Sequence, residues 1–465
     1  SLAWLTAMCD FPGRRWMDWA LMLPLAVPSY VLAFVSLGLL SYSGPVQTLW
    51  RSYFGADAWF PDIRSTGGVI FVLSTVLYPY VYMLARGAFL AQGRGLMDAS
   101  RLLGHSPWKS FLRVALPMAR PAIAAGASLA LMETLADFGA VSIFNYDTFT
   151  TAIYKSWFGF FNLTAAAQLA SLLLLFVGLA LFAEQRARGN GRNHQQAKRK
   201  REGFKLRGWR AFFASAYCLS VIAIAFAVPI GQLLVWAWDA AARDLDSRFW
   251  DLVRHTFMLG AIAGLALVSM ALLVAFGLRL KGRHQDGLQE RVAGLGYSLP
   301  GSVLAVGIMT AFAFIDHEVI NPVQVMMGLE PHQVLVGSLS ALLVAYVVRF
   351  FSVAYGPVRD SLERIRPGFQ EAAHMLGANH VEVLRRIYLP LLTPGLLSAL
   401  LLVLVDTMKE MPATLLLRPF GWDTLAVRVY EMTSEGEWQR AALPALVLVL
   451  ISIPPVILMI RRSRL

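Results

Sequence analysis

Two stretches decide how this chain is read: DASRLLGHSPWKSFLRVALP, Asp98–Pro117, and EAAHMLGANHVEVLRRIYLP, Glu371–Pro390. They align without a gap at a spacing of 273 residues (371 − 98). Ala99 then pairs with Ala372, Leu103 with Leu376, Gly104 with Gly377, Arg113 with Arg386, and Leu116-Pro117 with Leu389-Pro390. An acidic residue, Asp98 or Glu371, opens each copy. Both are polar islands in a strongly apolar chain, and their recurrence implies two copies of one device.

The 465 residues are 57% hydrophobic and 15% charged, and the mean hydropathy is +0.56. A soluble domain carries about 25% charged residues, so this chain has too little polar surface to cover a core of its size. Its apolar residues fall in blocks long enough to cross a hydrocarbon layer about 30 Å thick as helices. Ten such blocks run near 20–42, 67–86, 117–140, 163–183, 211–237, 256–279, 292–315, 334–355, 389–414 and 441–460. Most lack the polar face of a soluble helix. The expected class is an all-α polytopic membrane protein.

The net charge of +12 does not imply nucleic acid, because ten Lys and Arg lie between Arg186 and Arg210, with few aromatics and no nucleic-acid module. Basic residues bunched between apolar blocks mark cytoplasmic loops. Placing that linker inside puts Lys281, Arg283 and Arg291 inside, then Arg359, Arg364, Arg366, Arg385 and Arg386, then Arg461, Arg462 and Arg464. The opposite side receives a 238–254 loop holding Asp239, Asp244, Asp246 and Asp251, and a 316–332 loop holding Asp316, Glu318 and Glu330. Both repeated segments then face the cytoplasm.

A second internal match supports two halves. VPSYVLAF from Val27 resembles LPGSVLAV from Leu299, aligning Pro28 with Pro300. The first four blocks thus correspond to the last four of a six-helix unit, giving a first half over 1–185, a basic linker over 186–210 and a second half over 211–465. Ser1 maps into the second helix of that unit, so the repeat expects about two more helices ahead of it, or about 12 in the full chain.

Within each repeated segment, Gly104 or Gly377 allows a sharp turn. Pro117 and Pro390 suit the first turn of the next spanning helix, where a missing N–H costs nothing. The result would be a short helix across the cytoplasmic end of the bundle, either transmitting force from a soluble partner or resting on the headgroups.

The second segment resembles the EAA loop of the membrane subunits of binding-protein-dependent ABC importers. It fits that pattern at Glu371, Ala372, Ala373, Gly377, Ile387, Leu389 and Pro390. The first fits at Ala99, Gly104, Val114, Leu116 and Pro117, with Asp98 for Glu and Ser100 for the second Ala. The resemblance implies a type I ABC importer permease fold of two pseudo-symmetric bundles in the bacterial inner membrane. It also implies that each loop is a coupling helix docking on one of two cytosolic ATPase subunits, which hold the ATP and Mg. A periplasmic substrate-binding protein would deliver the cargo. The phrases METLADFGAVSIF, TFTTAIYKSWFG, AAAQLA, KEMPATLLLRPFGWDTLAVRVYE and AALPAL are similar to the fused permeases of ferric iron importers. Related permeases move thiamine, polyamines, sulfate or phosphonates, so those cargoes stay open.

The sequence contains no P-loop, so ATP hydrolysis is expected on another polypeptide, and no Ser-His-Asp, HExxH or CxxC constellation implies an enzyme. Cys9 and Cys218 are far apart in sequence, and His105 and His374 read as solvated loop residues. No firm metal site and no cofactor are expected in the chain itself. The helix after each repeated segment carries matched acids, Glu133 and Asp137 in one half and Asp406 and Glu410 in the other. Their i, i+4 spacing puts each pair on one helix face. Charge at bilayer depth costs about 2.5–3.5 kcal/mol or more, so these groups face protein or a wet cavity. They could line the conduit, close a gate between the halves, or pair structurally, with Lys409 as one available cation. A proton-coupled secondary transporter using these acids is the alternative class. Outside, loops near 144–162 and 316–332 and the stretch Arg418–Arg440 offer Arg418, Arg428, Glu431, Glu435 and Glu437 to a binding protein.

Overall fold

The computed structural model describes residues 1–188, 204–280, 296–366 and 368–462. Lys281, Arg283, Arg291, Arg464 and residues 189–203 of the linker lie outside the described residues.

The first half contains α1 (Leu2–Met8), α2 (Arg14–Ala20), α3 (Ser29–Leu40), α4 (Pro45–Phe54), α5 (Thr66–Leu102), α6 (Pro107–Ser110), α7 (Leu116–Ala136), α8 (Gly139–Ile143), α9 (Phe149–Tyr154) and α10 (Leu163–Arg188). The second contains α11 (Trp209–Ile222), α12 (Val228–Asp244), α13 (Ser247–Leu280), α14 (Gly301–Ile315), α15 (Asn321–Met326), α16 (Leu339–Glu363) and α17 (Gly368–Met375). It continues with α18 (His380–Val383), α19 (Leu389–Lys409), α20 (Pro412–Leu417), α21 (Leu425–Ser434) and α22 (Trp438–Arg462). Two short strands, β1 (Cys9–Asp10) and β2 (Phe204–Lys205), pair in parallel.

Ten helices among the described residues are long and apolar enough to cross a membrane. The chain is an all-α polytopic membrane protein, as its hydropathy implies. Several boundaries differ from expectation. The first span starts at Ser29 rather than near residue 20, because Gly13 in the left-handed region and Pro24 and Pro28 break residues 13–28 into short pieces. The 238–254 stretch is not an open loop, since α12 runs to Asp244 and α13 starts at Ser247. Asp246 accepts the Phe249 N–H at 2.9 Å, so that acid caps a helix start.

The compact units cross the boundary between the sequence halves. One comprises Ser1–Asp147, Leu173–Trp238 and Ser452–Leu465; the other comprises Thr148–Leu172 and Asp239–Ile451. In the first, Gly126 of α7 lies against α5, where an added Cβ would sit 2.6 Å from the Val81 Cα. In the second, α13, α16 and α19 pack together through Leu259, Ala263, Leu267 and Ala271, with Tyr346, Phe350, Leu392, Ala399 and Val403. Gly264 meets Leu400, and Gly395 meets Ser361 and the Pro357 carbonyl. Lipid tails are as apolar as leucine, so such helices associate through close backbone approach, which small residues permit. The outward face of α10 leaves Leu172, Leu174, Leu175, Phe176, Leu179 and Phe182 exposed, as a lipid-facing surface would.

Candidate functional site: repeated loops and intramembrane acids

The two repeated loops have the same backbone design. In the first, Asp98 and Ala99 lie near the end of α5, beyond a break at Gly93 (φ 65°, ψ 179°) that only glycine adopts readily. Gly104 takes φ +84°, and Gly377 takes φ +82° after α17, which carries Glu371, Ala372 and Ala373. Each glycine closes its helix in the same way. His105 N–H bonds the Ser100 carbonyl at 3.2 Å, and Ala378 N–H bonds the Ala373 carbonyl at 3.0 Å. Beside each glycine stand two apolar residues with almost no cover, Leu102 (89% exposed) and Leu103 (80%) in one loop, Met375 (90%) and Leu376 (88%) in the other. Ala99, Glu371 and Ala372 are exposed, whereas Ala373 is buried.

Pro117 and Pro390 do not start their helices, contrary to expectation. The helix is continuous over Trp108–Ala136 and over His380–Lys409. In each, a π-turn precedes the Leu-Pro pair, at Phe111–Ala115 and at Leu384–Tyr388. A wider turn accommodates a proline that has no N–H and crowds the carbonyl four residues back. Gln92 satisfies one carbonyl of the first turn, donating to Ala115 O at 3.1 Å. Leu116, Pro117 and Leu389 are half-buried, and Pro390 is exposed. The second amphipathic piece of each loop is therefore the opening of the spanning helix, and only the first piece and its glycine turn can lie across the bundle end.

The matched acids do not share helix faces. Helix α7 ends at Ala136 and α19 at Lys409, leaving Asp137 (ψ 127°) and Glu410 (ψ 114°) in extended backbone. Each second acid turns to the helix that follows. Asp137 accepts the N–H groups of Ala140 at 2.9 Å and Val141 at 3.3 Å, and Glu410 accepts that of Ala413 at 3.0 Å. Helix starts at membrane depth expose N–H groups that hydrocarbon cannot satisfy, and a carboxylate satisfies them. The third contacts diverge. Ser29 donates its hydroxyl to Asp137, whereas Glu410 pairs with Arg349 at 3.2 Å, and Arg349 also donates to the Leu299 carbonyl at 3.0 Å. Gly301, which stands where Ser29 stands in the other half, leaves room for that pair. Glu133 and Asp406 stay on their helices, half-buried, with Lys409, Arg349 and Glu410 acting on Asp406 through charge.

The description "binding-protein-dependent transport system inner membrane component" matches residues 1–187 and 267–464 of this chain. The chain belongs to that family. It is a fused, two-half permease of an ABC importer, and its matched segments fall one in each half. The permease is 27% identical over 468 residues to the Fe(3+)-transport system permease protein FbpB 2 of Haemophilus influenzae, covering 98% of this chain and 84% of that protein. It is 29% identical over 209 residues to a putative 2-aminoethylphosphonate transport system permease protein, PhnV, of Salmonella typhimurium, covering 45% and 73%. The molybdenum transport system permease protein ModB of Escherichia coli is 30% identical over 142 residues, covering 30% and 60%. A solved bacterial alginate ABC transporter, in complex with an alginate pentasaccharide-bound periplasmic protein, is similar at TM-score 0.40 and 16% identity over 55% of this chain and 95% of that one.

Several residues that hold these features in the permease escaped the sequence reading. Arg349 was legible only as a lone cation inside an apolar block. Arg279 ends α13 by donating to the carbonyls of Leu362 and, at 2.6 Å, Ile365, and it lies over the Tyr388 ring. Tyr388 in turn donates to Gln370 at 2.9 Å, tying the second loop to its spanning helix. Asn379 and Glu382 form a reciprocal cap between the glycine turn and α18. His105 bonds Ser100 at 3.2 Å, and the His374 side chain lies outside the described residues. Of the proposed docking charges, Arg418 pairs with Asp423 at 2.8 Å and Glu431 at 2.7 Å, and Arg428 approaches Glu431 at 3.5 Å. Glu437 pairs with Arg440, while Glu435 is exposed. Among the described residues no group of three or more His, Cys, Asp or Glu could hold a metal ion.

Proposed function

We propose that this permease moves ferric iron inward across the bacterial inner membrane, receiving it from a periplasmic binding protein and drawing energy from a pair of cytosolic ATPase subunits. The observation that carries the cargo is the end-to-end similarity to a ferric iron permease, 98% of this chain, where the phosphonate and molybdenum relatives match less than half of it. Coupling through the two loops is supported by their matched glycine turns and the bare apolar pairs beside them. Exposed Leu102-Leu103 and Met375-Leu376 are costly in water and suit a groove on a soluble partner. ATP binding would close the ATPases, shift both loops and open the pathway outward; reopening would release cargo inward. Glu133 and Asp406 are assigned to weak, transient contact with the passing cation, since a tight carboxylate site would not release it. Asp137 and Glu410 instead hold helix starts.

The test is uptake of radiolabelled ferric iron into vesicles that hold the full-length permease with its copurified ATPase and binding protein. Uptake that needs ATP and ignores unlabelled thiamine and spermidine is expected. Absence of iron uptake, with ATPase still stimulated by a binding protein carrying another solute, would discard the cargo and keep the permease.

A further inference from the structure

Beyond the short helices that the two acids cap, α9 and α21 form a second repeated device. TFTTAIY, Thr148–Tyr154, and TLAVRVY, Thr424–Tyr430, each open on an extended threonine that caps its helix and place a tyrosine six residues on. The acid lies 11 residues before the threonine in one half (148 − 137) and 14 in the other (424 − 410), so register is lost in the loop and regained at the threonine. Both segments belong to the same compact unit. There Tyr154 and Tyr430 meet edge to face, ring centroids 6.4 Å apart and planes at 81°.

Positions exchanged by a two-fold rotation are separated by twice their distance from the axis. Equivalent residues that touch therefore stand next to it. An approximate two-fold relating the two helices, as the sequence repeat implies, would pass between these rings, whose centroids are 6.4 Å apart. A transporter of two equivalent halves has its pathway on such an axis, because only there do both halves line it alike. We propose that Tyr154 and Tyr430 are the closed gate of the pathway, two rings that plug the axis and part when the ATPases close. This rests on the importer reading above.

The surroundings suit a plug that holds by packing. Phe158 stacks on Tyr154 at 5.3 Å and 15°, Trp157 packs on the core of the unit, and Tyr430 is buried. Burial, and then Tyr430 beside it, push the Tyr154 phenol above its ordinary value, so it carries no charge at neutral pH. A single ring contact, worth about 0.5–1.5 kcal/mol beyond its burial, is weak enough to break in each cycle.

The test uses Tyr430→Cys and, separately, Tyr154→Cys in a permease whose buried Cys9 and Cys218 are replaced by Ala, assembled in vesicles with its ATPase and binding protein. A membrane-impermeant maleimide is applied from the binding-protein side, without nucleotide and after vanadate trapping. Both cysteines should react roughly tenfold faster in the trapped complex. Trp59→Cys, at an exposed position outside the segments assigned to the binding protein, should react equally in both states. Equal rates at both gate positions in a complex that traps vanadate would overturn the gate and leave the importer reading standing. A complex that never traps vanadate would remove both.

Discussion

At the scale of single residues, a carboxylate at a helix break is worth what its partners make it worth. Glu410 is buried, caps α20 and faces Arg349. Arg349→Met removes the cation and leaves that charge buried alone, a change that costs about 3–5 kcal/mol. We expect a clear fall in the thermal midpoint of the detergent-solubilised permease; an unchanged midpoint would contradict the pairing. Gly301→Ala should lower the midpoint as well, by overpacking worth about 1–3 kcal/mol. Its new Cβ would lie 3.0 Å from an Arg349 guanidinium nitrogen and closer still to Glu410. Ser29→Ala removes one hydroxyl donor from Asp137, which keeps two backbone N–H groups, so a smaller loss is expected. Glu133→Gln combined with Asp406→Asn tests the pathway role, because neither residue caps a helix. Transport should drop while assembly with the ATPase persists, and full transport would end the idea.

At the scale of elements, the two loops show how far a repeat can be trusted. The 273-residue offset carries over the glycine, the bonds that close the helix before it, the bare apolar pair and the π-turn that follows. Gly104→Val and Gly377→Val force a branched side chain into left-handed backbone, at about 1–2 kcal/mol each. Either substitution should tilt the loop and lower cargo moved per ATP hydrolysed, while membrane insertion stays intact. A wild-type ratio in both variants would exclude coupling through these turns. The loops and their glycines were legible because turn chemistry is local. The true course of Pro117 and Pro390 was not, since a proline at a helix start and one behind a π-turn have the same sequence signature.

At the scale of the molecule, the halves of the sequence are not the units that pack. Residues 148–172 of the first half belong to the unit built mainly from the second, and residues 211–238 of the second half belong to the unit built mainly from the first. A chain cut in the linker therefore leaves neither fragment with a complete unit. Each fragment expressed alone should be degraded, and coexpression should restore a complex that survives purification. A stable, monodisperse fragment 1–188 would show that the exchanged segments contribute little.

The sequence by itself determined that the chain crosses the membrane about ten times, that it repeats, and where its two glycine-turned loops and paired acids stand. Hydropathy, helical length and turn residues are properties of neighbours along the chain, and each is written within a few turns. Tertiary structure alone decided that α7 and α19 stop one residue before Asp137 and Glu410, and that Ser29 and Arg349 answer those acids. It also brought Tyr154 against Tyr430, 276 positions away (430 − 154). A polar group at bilayer depth has no water to satisfy it, so its role is set by whichever backbone or side chain folding carries to it. That choice depends on contacts between distant segments, which no local pattern records.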